Sequence, residues 1–148
     1  MKKQINIKAK LLLRAAAICL AFFAIGHSVG HFTRHAITDP KAIEVQKQMI
    51  ENKFDMFGKL RSYDENYTGM SLNLIFTLLT ITTLLWQLSG QSEKNATGVR
   101  KFLVPLTICV CGFGITSAFY FFPMPAISCF IAAGLMIAAL FPLSRENQ

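Results

Sequence analysis

The sequence predicts an all-α, polytopic membrane protein, a four-transmembrane-helix bundle with an amphipathic helix in the first extracytoplasmic loop. Of its 148 residues, 53% are hydrophobic and 16% charged, where a soluble domain carries about 25% charged residues. Three blocks lack Lys, Arg, Asp and Glu altogether: 19 residues between Arg14 and Arg34, 27 from Asn66 to Ser92 and 43 from Phe102 to Ser144. The basic and acidic residues are segregated between those blocks. Residues 1–148 fit a single membrane domain.

A hydrocarbon core about 30 Å thick takes roughly 20 helical residues at 1.5 Å each. The first two blocks give one span apiece, Leu12 to Val29 and Met70 to Leu88. The third is twice too long, and Pro123-Met124-Pro125 interrupts it where neither proline continues a helix begun upstream. It reads as a tight helical hairpin with spans Phe102 to Phe122 and Pro125 to Leu143.

Lys and Arg set the orientation. One face collects Lys2, Lys3, Lys8, Lys10, Arg14, Lys94, Arg100, Lys101 and Arg145 against Glu93 and Glu146. The other holds six basic residues, Arg34, Lys41, Lys47, Lys53, Lys59 and Arg61, balanced by six acids, so the whole formal charge of +7 sits on the first face. The positive-inside rule assigns that face and both termini to the cytoplasm, and the protein to the cell inner membrane as a multi-pass chain. Trp86, Tyr67 and Tyr120 fall at span ends, as aromatic belts require. Basicity is thus an orientation signal. No nucleic-acid motif accompanies it, so the expected partner is the lipid bilayer and not nucleic acid. A cleaved signal peptide is the rival reading of the N-terminus, with Ala24-Ile25-Gly26 as the cleavage site, and would leave three spans. Cys19, Cys109, Cys111 and Cys129 all lie within spans, as small packing residues rather than as a disulfide framework or a Cys-x-x-Cys redox pair.

Residues 35–69 are too many for a bare connection. Asp39-Pro40 reads as an N-cap followed by proline at the first helical position, and Gly58 as the C′ terminator, predicting a surface helix from about Pro40 to Phe57. Ile43, Ile50, Phe54 and Phe57 group on one side of it, Val45, Met49 and Met56 form a second group, and Lys53 and Gln46 must snorkel. Such a helix lies on the membrane or, as its acidic polar face favours, caps the bundle.

His27, His31 and His35 recur at i, i+4 and i+8, on one face of the first helix if it runs past the interface. A histidine inside a span faces protein or a cavity, and Gly26 and Gly30 would admit another helix closely. Arg61, Tyr63, Asp64, Glu65 and Tyr67 precede the second span at matching depth. The candidate polar or ligand site is therefore His27, His31, Arg61, Tyr63, Asp64 and Tyr67. A hydrogen-bonded structural cluster, a metal on His27, His31 and His35 with Asp64 or Glu65, and an organic ligand with an acidic head on Arg61 are all open. Haem fits poorly, since no other span offers an axial histidine. The cofactor stays unassigned.

The Gly-His-Ser-Val-Gly-His run at 26–31, Met56-Phe57-Gly58, Arg61-Ser62-Tyr63, Tyr67 and Gly69, ahead of a span ending Leu85-Trp86-Gln87-Leu88, resembles a family of small four-helix bacterial integral membrane proteins of unknown function. The likeness covers roughly residues 10 to 90. It implies that His27, His31, Arg61, Tyr63 and Tyr67 belong to one site, although Asp64-Glu65-Asn66 departs from the pattern, which has an aromatic residue there.

Two functional classes follow, and whether the chain is an enzyme stays open. The first is a structural or accessory membrane protein whose polar cluster locks the outer segment. Ala132, Ala133, Gly134, Ala138 and Ala139 suit close contacts within the chain, in a homo-oligomer or with a membrane partner. The alternative is an enzyme or binding protein for a lipid- or quinone-like ligand entering from the outer leaflet, metal-assisted or using His27 or His31 as acid or base. A transporter is weakest, because apart from Arg14 at the cytoplasmic edge of the first no span carries a charged residue to relay protons or hold ions, and no inverted repeat is visible.

Overall fold

The computed structural model describes residues 2–144, with side chains from residue 7 onward. Arg145 and Glu146, counted above toward the basic face, lie outside the described residues, as do the side chains of Lys2 and Lys3. The chain is all-helical apart from one small hairpin: α1 (Lys2–Thr33), α2 (Pro40–Glu51), β1 (Lys53–Met56), β2 (Lys59–Ser62), α3 (Tyr63–Gln91), α4 (Ala96–Tyr120) and α5 (Pro123–Ser144). Four of these helices are long and apolar enough to cross a membrane: Ile7–Thr33, Tyr63–Gln91, Ala96–Tyr120 and Pro123–Ser144. Each contains one expected span within a residue or two, and the first two run well beyond it. Two compact units form, Ile25–Thr77 and the described residues before and after that stretch.

In the latter unit, α4 and α5 pack against each other. The buried side of α4 is Ala96, Val99, Leu103, Thr107, Val110, Gly114 and Ser117, spaced by threes and fours as one helical stripe requires. On α5 the buried set is Pro125, Ala126, Cys129, Ala132, Ala133, Met136, Ala139 and Leu143. Of the small residues singled out on this helix, Ala132, Ala133 and Ala139 pack inside the chain, while Gly134 is exposed. Pro123 and Pro125 open α5, where the first turn has no intrahelical acceptor for an N–H. Asn95 caps α4, its side chain accepting from the Gly98 N–H at 2.8 Å. Closeness at the α4–α5 seam depends on Gly114: a Cβ there would sit 2.9 Å from Phe130 Cε1. Ile18, Phe22, Ile108, Phe119 and Phe141 are each more than half exposed, which suits a hydrocarbon solvent. In the same unit Lys10 pairs with Glu93 at 2.8 Å, and the Arg14 guanidinium lies 4.9 Å from the Trp86 ring centroid. The four cysteines are free.

The unit Ile25–Thr77 departs from expectation in one element. Its surface helix begins as predicted, with Asp39 Oδ1 accepting from the Ala42 N–H at 2.9 Å and Pro40 next, but ends at Glu51 instead of Phe57. Asn52 stops it: its amide reaches Gln48 O at 2.9 Å and Gln48 Oε1 at 2.8 Å, and its backbone turns to the extended region. Residues 53–62 then form an antiparallel hairpin with Met56 opposite Lys59 and Phe57-Gly58 as a two-residue turn. Both turn residues have positive φ, 51° and 84°, the signature of a type I′ turn. Gly58 does occupy the left-handed conformation inferred for it, in a turn and not at a helix end. Asp55 Oδ1 braces the turn by accepting from the Gly58 N–H at 2.8 Å. Phe54 and Phe57 are therefore strand and turn residues. The burial expected of the Ile43 group is not found within the protein, since α2 has no buried residue and Ile43, Ile50 and Phe57 are exposed.

Two outcomes test this fold in thermal melts. Gly114→Ala should destabilise by about 1–3 kcal/mol through overpacking, whereas Gly134→Ala, whose Cβ would meet nothing within 4 Å, should be neutral or better. Phe57→Asn should stabilise by several tenths of a kcal/mol, because Asn tolerates positive φ and the Phe57 ring makes no packing to lose. A loss on that change would contradict the hairpin.

Candidate functional site

A capping box fixes where α3 starts. Ser62 Oγ accepts from the Glu65 N–H at 3.2 Å, and Glu65 Oε2 accepts from the Ser62 N–H at 2.8 Å. Helix begun at Tyr63 puts Asp64, Tyr67, Thr68 and Ser71 at i, i+3, i+4 and i+7, on one face of α3. The end of α1 presents His27 and His31 four residues apart, followed by Arg34 and His35 just beyond its last turn. These two sets meet.

At the centre is Arg34, its side chain 17% exposed, as is that of Asp64. Nη2 donates to Asp64 Oδ1 and Oδ2, both at 3.1 Å, and to Thr68 Oγ1 at 2.6 Å. Nε lies 3.0 Å from His35 Nε2, and Nη1 lies 3.4 Å from His31 Nδ1. The guanidinium carbon stands 5.5 Å from the Tyr67 ring centroid, a cation–π distance. Thr68 spends its own proton on Asp64 O, 2.7 Å away, leaving its oxygen free to accept from Arg34. Gln46 ties α2 to the same point by donating to Arg34 O at 3.2 Å.

Next to this arginine is a second junction. Ser71 Oγ lies 2.9 Å from His31 Nδ1 and 3.0 Å from His27 Nε2, and the residue is only 6% exposed. Ser71 has one hydroxyl proton, so it donates to at most one of the two imidazoles and can accept from the other. The four groups form one contiguous chain: His27, Ser71, His31, Arg34. His35 Nε2 stands 3.1 Å from Asp64 Oδ1 as well as next to Arg34. With one hydrogen or one lone pair at that atom, it donates to the carboxylate or accepts from the guanidinium, never both.

Of the residues expected to share one site, His27, His31, Asp64 and Tyr67 are brought together, and His35 joins through Asp64. Arg61 and Tyr63 go elsewhere. Arg61 pairs with Glu65 at 3.1 Å on the surface, because the hairpin carries it onto β2, and the Tyr63 ring packs on Phe54 with centroids 4.6 Å apart. Arg34 takes the place given to Arg61. Gly26 and Gly30 admit no close neighbour, as a Cβ on either meets nothing within 4 Å. Arg34, Thr68 and Ser71 were missed, although the Ser62-x-x-Glu65 spacing carries the signal that finds them, since it starts α3 early enough to align them. Among the described residues, no three His, Cys, Asp or Glu side chains are grouped to hold a metal ion.

Beside the cluster lies a cavity of about 490 Å³, lined by Arg34, Lys41, Ala42, Val45, Gln46, Met49, Asp64 and Tyr67. The Val45–Met49 side of α2, the second apolar group recognised in sequence, faces it.

The fold defines a small multi-pass helical membrane protein. Compared with family models, curated proteins and solved structures, the chain matches none.

The ion pair makes a sharp contrast between two arginines. Arg34→Ala should lower the melting temperature strongly and couple with Asp64→Ala by about 0.5–3 kcal/mol in a double-mutant cycle. Arg61→Ala, on an exposed pair, should leave it nearly unchanged.

Proposed function

We propose that the protein is a structural or accessory component of a bacterial inner membrane, non-enzymatic, in which the polar cluster clamps the outer ends of α1 and α3 and so holds the excursion of residues 34–62 in one conformation on the outer face. The observation that carries this is the closure of the cluster on itself. Every nitrogen of Arg34 has a neighbour of this cluster within reach, Asp64 and Thr68 at Nη2, His31 at Nη1 and His35 at Nε, and Ser71, the hydroxyl best placed next to imidazoles, is buried between two of them. A nucleophile would need access to a substrate carbonyl and donors for an oxyanion; at 6% exposure Ser71 has no such access.

Orientation rests on charge. The Lys10–Glu93 and Arg14–Trp86 contacts join chain segments that the positive-inside rule assigns to the cytoplasm. With both termini and the 91–101 loop inside, a cysteine introduced at Glu51 should react with an impermeant thiol reagent in intact cells, and one at Lys94 should not; the reverse pattern would invert the topology. Histidine variants separate structural from catalytic roles. His31→Ala and Ser71→Ala should reduce the amount of folded protein recovered from membranes, whereas normal abundance and an unshifted melting temperature would count against a clamp.

A further inference from the structure

We propose that the cavity between α2 and the Arg34 cluster is a binding site for an amphiphile bearing one negative charge, with the anionic head on Lys41 and one alkyl chain along Val45, Met49 and Tyr67. This goes beyond the clamp, which uses Arg34 but leaves the cavity empty-handed.

Three observations lead there. The volume, about 490 Å³, is within the range of small-molecule sites, roughly 300–1,000 Å³. Its charge is unbalanced: Arg34 is neutralised by Asp64 at 3.1 Å, while Lys41 takes part in none of the ion pairs among the described residues. One uncompensated cation remains, in the first turn of α2, where the helix dipole adds to the attraction for an anion. Along Ala42, Val45, Met49 and Tyr67 the wall is apolar, apart from the Arg34–Asp64 pair and Gln46, with the flexible Met49 side chain suited to an alkyl chain of variable shape. A bare anion would use only the first of these walls and a neutral lipid only the second. An anionic amphiphile uses both, whether it arrives as a free fatty carboxylate or as an acidic lipid of the bilayer.

Met49 is the reporter. The full chain, with ¹³C-methyl methionine, is placed in phosphatidylcholine nanodiscs and titrated with dodecanoate. The expected result is a saturable shift of the Met49 methyl, with Met70 and Met124, exposed on other helices, following only the unsaturable drift of bilayer partitioning. Decanoate, two methylenes shorter, should bind roughly fifteenfold more weakly at about 0.8 kcal/mol per methylene, and acetate should produce no shift. Lys41→Glu should weaken dodecanoate about tenfold or more, as loss of a charge-assisted contact does, with Met56, in the hairpin of the same unit, unshifted as evidence of an intact fold; Lys41→Gln serves if the reversal perturbs it. Nanodiscs containing phosphatidylglycerol tell the sources apart. If Met49 starts at its bound position there and ignores dodecanoate, the bilayer supplies the ligand; if dodecanoate binds undiminished, a free amphiphile does. A Met49 response that parallels Met70 without saturating, or that is unchanged in both Lys41 variants, overturns the proposal.

Discussion

An arginine at the end of an apolar helix constrains everything around it. Arg34 follows directly on α1, a helix long and apolar enough to span a membrane, and its guanidinium carries five N–H donors that cannot be deprotonated. Close to hydrocarbon such a group requires acceptors fixed by the fold. Asp64 supplies two oxygens and Thr68 one, all at Nη2, and ring nitrogens of His31 and His35 lie 3.4 and 3.0 Å from Nη1 and Nε. Each acceptor imposes a condition on sequence elsewhere: α3 must begin before Asp64, Thr68 must lie one turn on, and α2 must stay near enough for Gln46 to hold the Arg34 carbonyl. The unit Ile25–Thr77 is organised around these conditions more than around a hydrophobic core. Its α2 buries nothing.

The other unit is built on the opposite principle. Its seam between α4 and α5 is small residues and aliphatics in helical register, with Gly114 making room for the Phe130 ring. Lipid offers no hydrophobic incentive for helices to associate, so close van der Waals packing does the work there. Its ion pair and cap sit at helix ends, where Lys10 meets Glu93 and Asn95 caps α4, while the buried Thr107 hydroxyl is satisfied within its own helix by Leu103 O.

What could be read from residues alone follows from the range of the forces involved. The four apolar helices were legible because the requirement for roughly 20 apolar residues acts within one segment. The start of α2 was legible for the same reason, since Asp39-Pro40 is a local signal. Its end was not: Gly58 demanded a left-handed backbone, and both a helix terminus and a type I′ turn satisfy that demand. Pairing of Lys53 with Ser62, a contact across the hairpin, decides between them. The same shortening moved Arg61 and Tyr63 out of the candidate site, because depth matching treats residues before a span as interchangeable when a strand in fact carries Arg61 away and Tyr63, the first residue of α3, packs on Phe54 of the hairpin. Arg34 had served only as the boundary of an uncharged block, though its place after His27 and His31 at helical spacing put it on their face.

Absence of cysteine from residues 25–77 has a consequence for biogenesis. No bond in this unit awaits an oxidising compartment: its ion pair, caps and hairpin turn form without an oxidant, so its folding is indifferent to the redox conditions on either side of a membrane.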